Sequence, residues 1–162
     1  MGELLRALLL PCLWAFVACG GFSVLFHVRG LGVLICSCGG ALGWLVYLLA
    51  CRGGCGDIFA TLLAGIAISL WSEAMARVRK CPVTGYLLLA VFPLVPGGGI
   101  YYAMKHAVQG ENEAFADTLM HTLGVSGALA LGILLVASAT RMWRNGRKSH
   151  GNGETEVHNR PL

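Results

Sequence analysis

Apolar residues along this chain gather into five long runs, each closed by a short polar or basic punctuation. The first, Leu4 to Phe26, ends at His27-Val28-Arg29-Gly30, and the second, Leu31 to Cys51, ends at Arg52-Gly53-Gly54. The third opens at Asp57, passes Trp71 and meets Arg77, Arg79 and Lys80. The fourth starts at Pro82, a residue suited to a first helical turn, and reaches Val108. The fifth follows the acidic stretch of Glu111, Glu113 and Asp117 and ends at Thr140. A helix needs about 20 apolar residues to cross the hydrocarbon core. The pattern therefore predicts spans at 4–26, 31–51, 57–76, 82–108 and 117–140. The expected fold is an all-α integral membrane protein of about five transmembrane helices in one domain. From Arg141 to Leu162 the chain is polar and rich in Gly and Asn, which predicts a disordered tail.

Composition agrees with that pattern. The 162 residues are 56% hydrophobic and 12% charged, with a mean hydropathy of +0.70; a soluble domain carries roughly a quarter charged residues. Five spans consume roughly 100 residues, which leaves no room for a soluble catalytic domain.

Basic residues sit at the ends of the runs, so the net charge of +4 reads as a topology signal and not as a nucleic-acid footprint. One alternate set of connections holds Arg29, Arg77, Arg79, Lys80, Arg141, Arg144, Arg147, Lys148 and Arg160; the other holds Arg6, Arg52 and Lys105. Lys and Arg mark the cytoplasmic side. Nine against three puts the N-terminus outside and the C-terminus, with its tail, inside. Arg6 followed by an apolar stretch and Phe16-Val17-Ala18-Cys19 loosely resembles a lipoprotein signal. Apolar sequence resumes at once through Phe26, so the first span is expected to stay in the protein.

Small residues repeat every four positions: Gly32, Cys36 and Gly40 in the second run, Ala60 and Ala64 in the third, and Gly124, Ala128 and Gly132 in the fifth. Gly39 and Gly43 form a neighbouring stripe. Lipid removes most of the hydrophobic drive between helices, so such faces predict close helix packing.

The fourth run carries the unusual feature. Between Pro93 and Gly99 lie two prolines and three glycines in seven residues, near the middle of the span. Proline removes a donor and clashes with the preceding turn; consecutive glycines favour an unwound backbone. The helix is expected to break at mid-membrane, where irregular backbone survives only if protein or a watery cavity surrounds it. A second half-helix from Ile100 then offers free N–H groups and a partial positive charge, which suit a carboxylate. Transporters hold substrate carboxylates at such breaks. Pro93, Pro96, Gly97, Gly98, Gly99, Tyr101 and Tyr102 are the expected substrate-binding residues. The bland alternative is a proline kink used only for packing.

Phe92-Pro93-Leu94-Val95-Pro96-Gly97-Gly98-Gly99-Ile100-Tyr101-Tyr102-Ala103-Met104 resembles the Pro-x-x-Pro-Gly segment of the threonine/serine exporter family, in its small-subunit, second-half type. Gly20 to Val28, and Leu70-Trp71-Ser72-Glu73 leading to Arg79-Lys80-Cys81-Pro82, fit the same pattern, so the likeness covers most of residues 10 to 140. His27 stands where the family pattern has asparagine. The resemblance implies ion-driven export of small amino acids, or in some members dicarboxylates. It also implies a larger homologous membrane subunit as partner and a bacterial cytoplasmic membrane location. Homo-oligomerisation is a further option, and the bilayer itself is the other partner. Topology supports pairing independently: with an odd number of spans, two tandem halves must be inverted relative to each other.

Other polar residues offer chemistry beside that segment. Glu73, Lys105, Asp117 and His121, with His106 nearby, are candidates for a proton relay, since histidine titrates near neutral pH; the plain reading is that they mark where helices meet water. Glu73 also lies four residues before Arg77, the favourable order for a helical ion pair. Ser23, Ser69, Thr118, Thr122 and Ser126 are expected to bond their own helix backbone. The seven cysteines lie mostly inside apolar runs, and none has a histidine at metal-ligand spacing; Cys51 and Cys55 are close enough for a disulfide to be considered. No nucleophile–base pattern, metal motif or cofactor motif stands out, so no enzymatic activity is expected. The rival to a transporter half-unit is a non-transporting assembly subunit, in which replacing Gly97 or Tyr101 changes complex yield and leaves export intact.

Overall fold

The computed structural model describes residues 2–28 and 30–157. Its described residues form α1 (Gly2–Leu25), α2 (Leu31–Arg52), α3 (Asp57–Arg79), α4 (Val83–Val91), a 3-10 turn (Phe92–Leu94), α5 (Gly97–Gln109) and α6 (Asn112–Val157). Four of these are long and apolar enough to cross a membrane, and a fifth span is obtained when the bent pair 83–94 and 97–109 is counted as one. Each of the five apolar runs falls on one of these four helices or on the bent pair, the last helix beginning at Asn112, ahead of the expected 117.

Local chemistry ends the helices. Lys80 closes α3 in the left-handed conformation (φ 52°), and Gly110 closes α5 in the same way (φ 76°), the geometry that satisfies last-turn carbonyls. His27 turns the chain between α1 and α2 at φ 58°. Histidine, like asparagine and aspartate, is among the non-glycine residues that enter this region most readily. The last helix continues past Thr140 to Val157, so the segment expected to be a disordered tail begins as helix. Extending an existing helix costs little per residue, and Arg, Met and Lys are good helix formers. Residues 158–162, the rest of that segment, lie outside the described residues.

Contacts set the helix directions. Tyr47 and Asp57 meet at one end of the α2–α3 pair, and Trp71 donates to the Ile35 carbonyl (3.0 Å) further along, so these helices are antiparallel. Asp57 approaches His121 (3.4 Å), and Thr140 donates to Glu73 (3.1 Å), so α3 and α6 run parallel. The α4 start therefore lies at the basic end with Arg79, while the end of α5 leads into Asn112 at the opposite end, which carries Asp57. The bent pair consequently traverses the bundle and does not return to the side it came from.

α2 is the hub, touching α1, α3 and α4. Its glycines make this geometry work: the space a side chain at Gly40 would need is taken by Cys19 of α1, and that at Gly39 by Trp71 of α3 and Ala90 of α4. Between α3 and α6, Ala60, Ala64 and Ala128 are buried. The four-residue stripes are the faces along which the helices meet. One core groups Ala64, Ile68, Ala90, Leu94 and Leu129; a second groups Cys36, Ala76, Tyr86 and Leu89. Leu9, Leu10, Leu13, Trp14 and Val17 on α1 point outward, as side chains facing lipid must.

Candidate functional site

The break occupies the middle of the fourth crossing, and the two halves meet at 51°. Phe92–Leu94 tightens into a 3-10 turn closed by Val95 N–H to the Phe92 carbonyl (3.3 Å). Gly97 N–H then folds back on the Val95 carbonyl (2.7 Å), and Ile100 N–H to the Pro96 carbonyl (3.2 Å) starts α5. Pro96 is the N-cap and supplies no side-chain acceptor. The N–H groups of Gly98 and Gly99 have no backbone acceptor among the described residues. On the other side of the break, the Pro93 carbonyl is left open because its i+3 residue is a proline and the Gly97 N–H is already used.

A cavity of about 180 Å³ adjoins the break. It is lined by residues 93–96 of the break, Trp44 and Tyr47 of α2, Asp57 and Thr61 of α3, and Val125 of α6. The Tyr47 hydroxyl donates to Asp57 Oδ1, and His121 Nε2 stands 3.4 Å from Asp57 Oδ2. Thr61 Oγ1 donates to the Asp57 backbone carbonyl one turn back in the same helix (2.8 Å). Asp57 is in the first turn of α3, where the helix dipole favours its charge. The Trp44 and Tyr47 rings lie 5.4 Å apart. The Trp44 indole N–H is buried and has no partner among the described residues, an expensive state for a donor in a low-dielectric interior.

The residues expected to bind substrate divide between two faces. Pro93 and Pro96 line the cavity. Gly99 is partly buried and backs onto Thr122, whereas Gly97 and Gly98 are exposed, and a Cβ added at either would meet nothing within 4 Å. Tyr101 and Tyr102 pack edge to face (5.4 Å) and are 66% and 55% exposed, on a helix that touches α6 almost alone. The groups considered for a proton relay are also dispersed. His121 joins Asp57, and His106 pairs with Glu111 (2.5 Å). Lys105 and Asp117 are exposed, with no ion pair among the described residues. Glu73 sits at the basic end with Arg77 (3.5 Å) and Thr140, far from the break.

Ser23, Thr122 and Ser126 bond the carbonyl one turn back (2.7, 2.6 and 2.8 Å). The buried Ser69 hydroxyl departs from this expectation and has no partner among the described residues; nothing in its surroundings explains why. All seven cysteines are free, Cys51 and Cys55 included. Sequence reasoning did not single out Asp57, Tyr47, Trp44 and Thr61, which line the cavity beside Pro93 and Pro96. The signal on offer was an acidic residue opening an apolar run, which reads equally well as ordinary helix-start chemistry.

Residues 11–139 match the model of the family described as Threonine/Serine exporter, ThrE. Among curated proteins, an uncharacterized protein of Haemophilus influenzae is 26% identical over 136 residues, which cover 79% of this chain and 46% of that protein. The chain thus spans about half the length of that relative. No solved structure matches it.

Proposed function

The chain belongs to the threonine/serine exporter family, and from that premise we propose that it is one half-unit of a secondary-active exporter of small carboxylate-bearing metabolites. Threonine and serine are the first substrates in this reading and dicarboxylates the second. A larger membrane subunit of the same family completes the machine in the bacterial cytoplasmic membrane, with the N-terminus of this chain outside and its C-terminus inside.

The observation that carries the reading is the cavity at the broken crossing. Unwound backbone within a bilayer is stable only beside protein or water, and broken helices at mid-membrane are how many secondary transporters hold substrate and coupling ion. The need for a partner rests on the other face of the same break. Gly98 is exposed and its N–H has no backbone acceptor among the described residues, and the Tyr101 and Tyr102 side chains beside it are exposed too. Unsatisfied polar groups in hydrocarbon cost several kcal/mol each, so a second subunit covering α5 removes that penalty. The length of the relative, more than twice the matched segment, fits a two-half design.

The test uses the native host with this one gene deleted and then restored, so that any partner remains present. Export of labelled threonine, serine or succinate is expected to rise on restoration, and to fall to the deletion level for a chain carrying Pro93→Ala and Pro96→Ala together, which lets the crossing wind continuously. Equal efflux of all three compounds with and without the chain overturns the reading. So does full activity of the double variant.

A further inference from the structure

A broken crossing strands acceptors as well as donors, and a neighbouring helix meets one of them. In a continuous helix the Leu89 carbonyl would accept from residue 93. That residue is Pro93, which has no N–H and whose ring crowds the carbonyl four residues back; α4 accordingly ends at Val91. The Cys19 thiol of α1 donates to the Leu89 carbonyl instead (3.2 Å). Cys19 and Leu89 are 0% and 2% exposed, so water serves neither group. An acceptor left bare in such an interior is costly.

Two neighbouring features belong to the same contact. Gly40 of α2 leaves the space that the sulfur occupies: a methyl group there would overlap Cys19 Sγ and stand 3.3 Å from Cys19 Cβ and 3.5 Å from the Ala90 carbonyl oxygen. Three residues along α1, on the neighbouring turn of the same face, Phe22 lays its ring against that of Phe92, with centroids 3.8 Å apart. α1 therefore grips the chain at Leu89 and Phe92, directly before Pro93. Beyond the break, α5 leans on α6 almost alone. The first half of the crossing is held on the side that the break weakens.

We propose that Cys19 is a positioning residue for the broken crossing: its thiol stands in for the amide that Pro93 lacks, and so fixes the end of α4 and the cavity lining at residues 93–96. The transport consequence rests on the exporter reading above; the hydrogen-bond replacement does not. A buried thiol ordinarily acts as a small packing group, and its S–H is a weak donor. The two roles separate on substitution. Serine keeps a donor in a smaller side chain, whereas alanine removes the donor altogether.

Thermal unfolding of the full chain in bicelles, for Cys19→Ala, Pro93→Ala and the two together, forms a double-mutant cycle. Cys19→Ala is expected to lower the midpoint where Pro93 is present and to have little effect beside Pro93→Ala, because an amide at position 93 can then meet Leu89. Cys19→Ser is expected to stay near wild type. In inverted vesicles from the native host, where export appears as uptake, Cys19→Ala is expected to raise the half-saturating threonine concentration about threefold or more, and Cys19→Ser to restore it. An equal loss of stability in both Pro93 backgrounds overturns the proposal, as does a Cys19→Ser chain no better than Cys19→Ala. An unchanged half-saturating concentration in Cys19→Ala removes the positioning role while the exporter reading survives. Absence of any chain-dependent uptake removes the exporter reading and the positioning role together, and the unfolding cycle still decides the hydrogen bond.

Discussion

Gly132 of α6 lies so close to the backbone of α3 that a methyl group in its place would stand 2.7 Å from the Leu62 carbonyl oxygen. The Ile66 amide nitrogen is only 3.2 Å from the same point. A side-chain obstacle can swing away, but a helix backbone cannot without moving the helix. Gly132→Ala is therefore expected to destabilise the chain by about 1–3 kcal/mol, the usual range for overpacking. Gly127→Ala, five residues earlier with open space around it, is expected to be neutral or to gain up to about 1 kcal/mol from helix propensity. Unfolding in detergent or bicelles, followed for both variants, checks the contrast.

The three glycines at the break are not equivalent. A methyl at Gly99 meets Thr122 Cγ2 at 3.0 Å and Cβ at 3.2 Å, whereas Gly97 and Gly98 have room. Gly98→Ala is expected to leave export near wild type. Gly99→Ala is expected to push α5 off α6 at a cost of about 1–3 kcal/mol and to lower export, and Thr122→Ala in the same chain should recover most of the loss. A double-mutant cycle on efflux rate and thermal stability measures that coupling.

Glu73 has its own explanation at the basic end. It pairs with Arg77 at helical spacing (3.5 Å) and accepts from Thr140 (3.1 Å), with the Arg77 side chain 59% exposed. Exposed pairs of this kind contribute about 0–1 kcal/mol. Glu73→Gln is expected to shift stability by no more than that and to leave the threonine-to-succinate ratio unchanged. A changed ratio would return Glu73 to the transport path.

Orientation is open to labelling. Cys55 lies in the connection between α2 and α3, and Cys81 in that between α3 and α4, on opposite ends of the bundle. In single-cysteine chains, a membrane-impermeant maleimide is expected to reach Cys55 in intact cells and Cys81 only in inverted vesicles. The reverse pattern would place the C-terminus outside.

The crossings could be read from the sequence because their causes are local. A run of apolar residues long enough to span, closed by Arg79-Lys80 or Gly110, specifies a membrane helix with little reference to its neighbours. The break was equally legible: Pro93 and Pro96 withdraw donors from their own turn whatever surrounds them. The small-residue stripes announced close packing, but not that Gly39 would face Trp71 and Ala90 while Gly40 faced Cys19. Those choices depend on how α2 is rotated among three partners.

Asp57 marks the limit most clearly. By itself the chain determined that an acidic residue opens α3 and that a histidine sits near the start of the last helix, both statements about single helices in a bilayer. Only the tertiary structure decided that the antiparallel return of α2 and the parallel course of α6 bring Tyr47 and His121 to the same carboxylate, against the wall of the broken crossing. Helix formation is settled by bonds four residues apart, whereas a site built across three helices depends on their relative rotation and depth, which no one segment encodes.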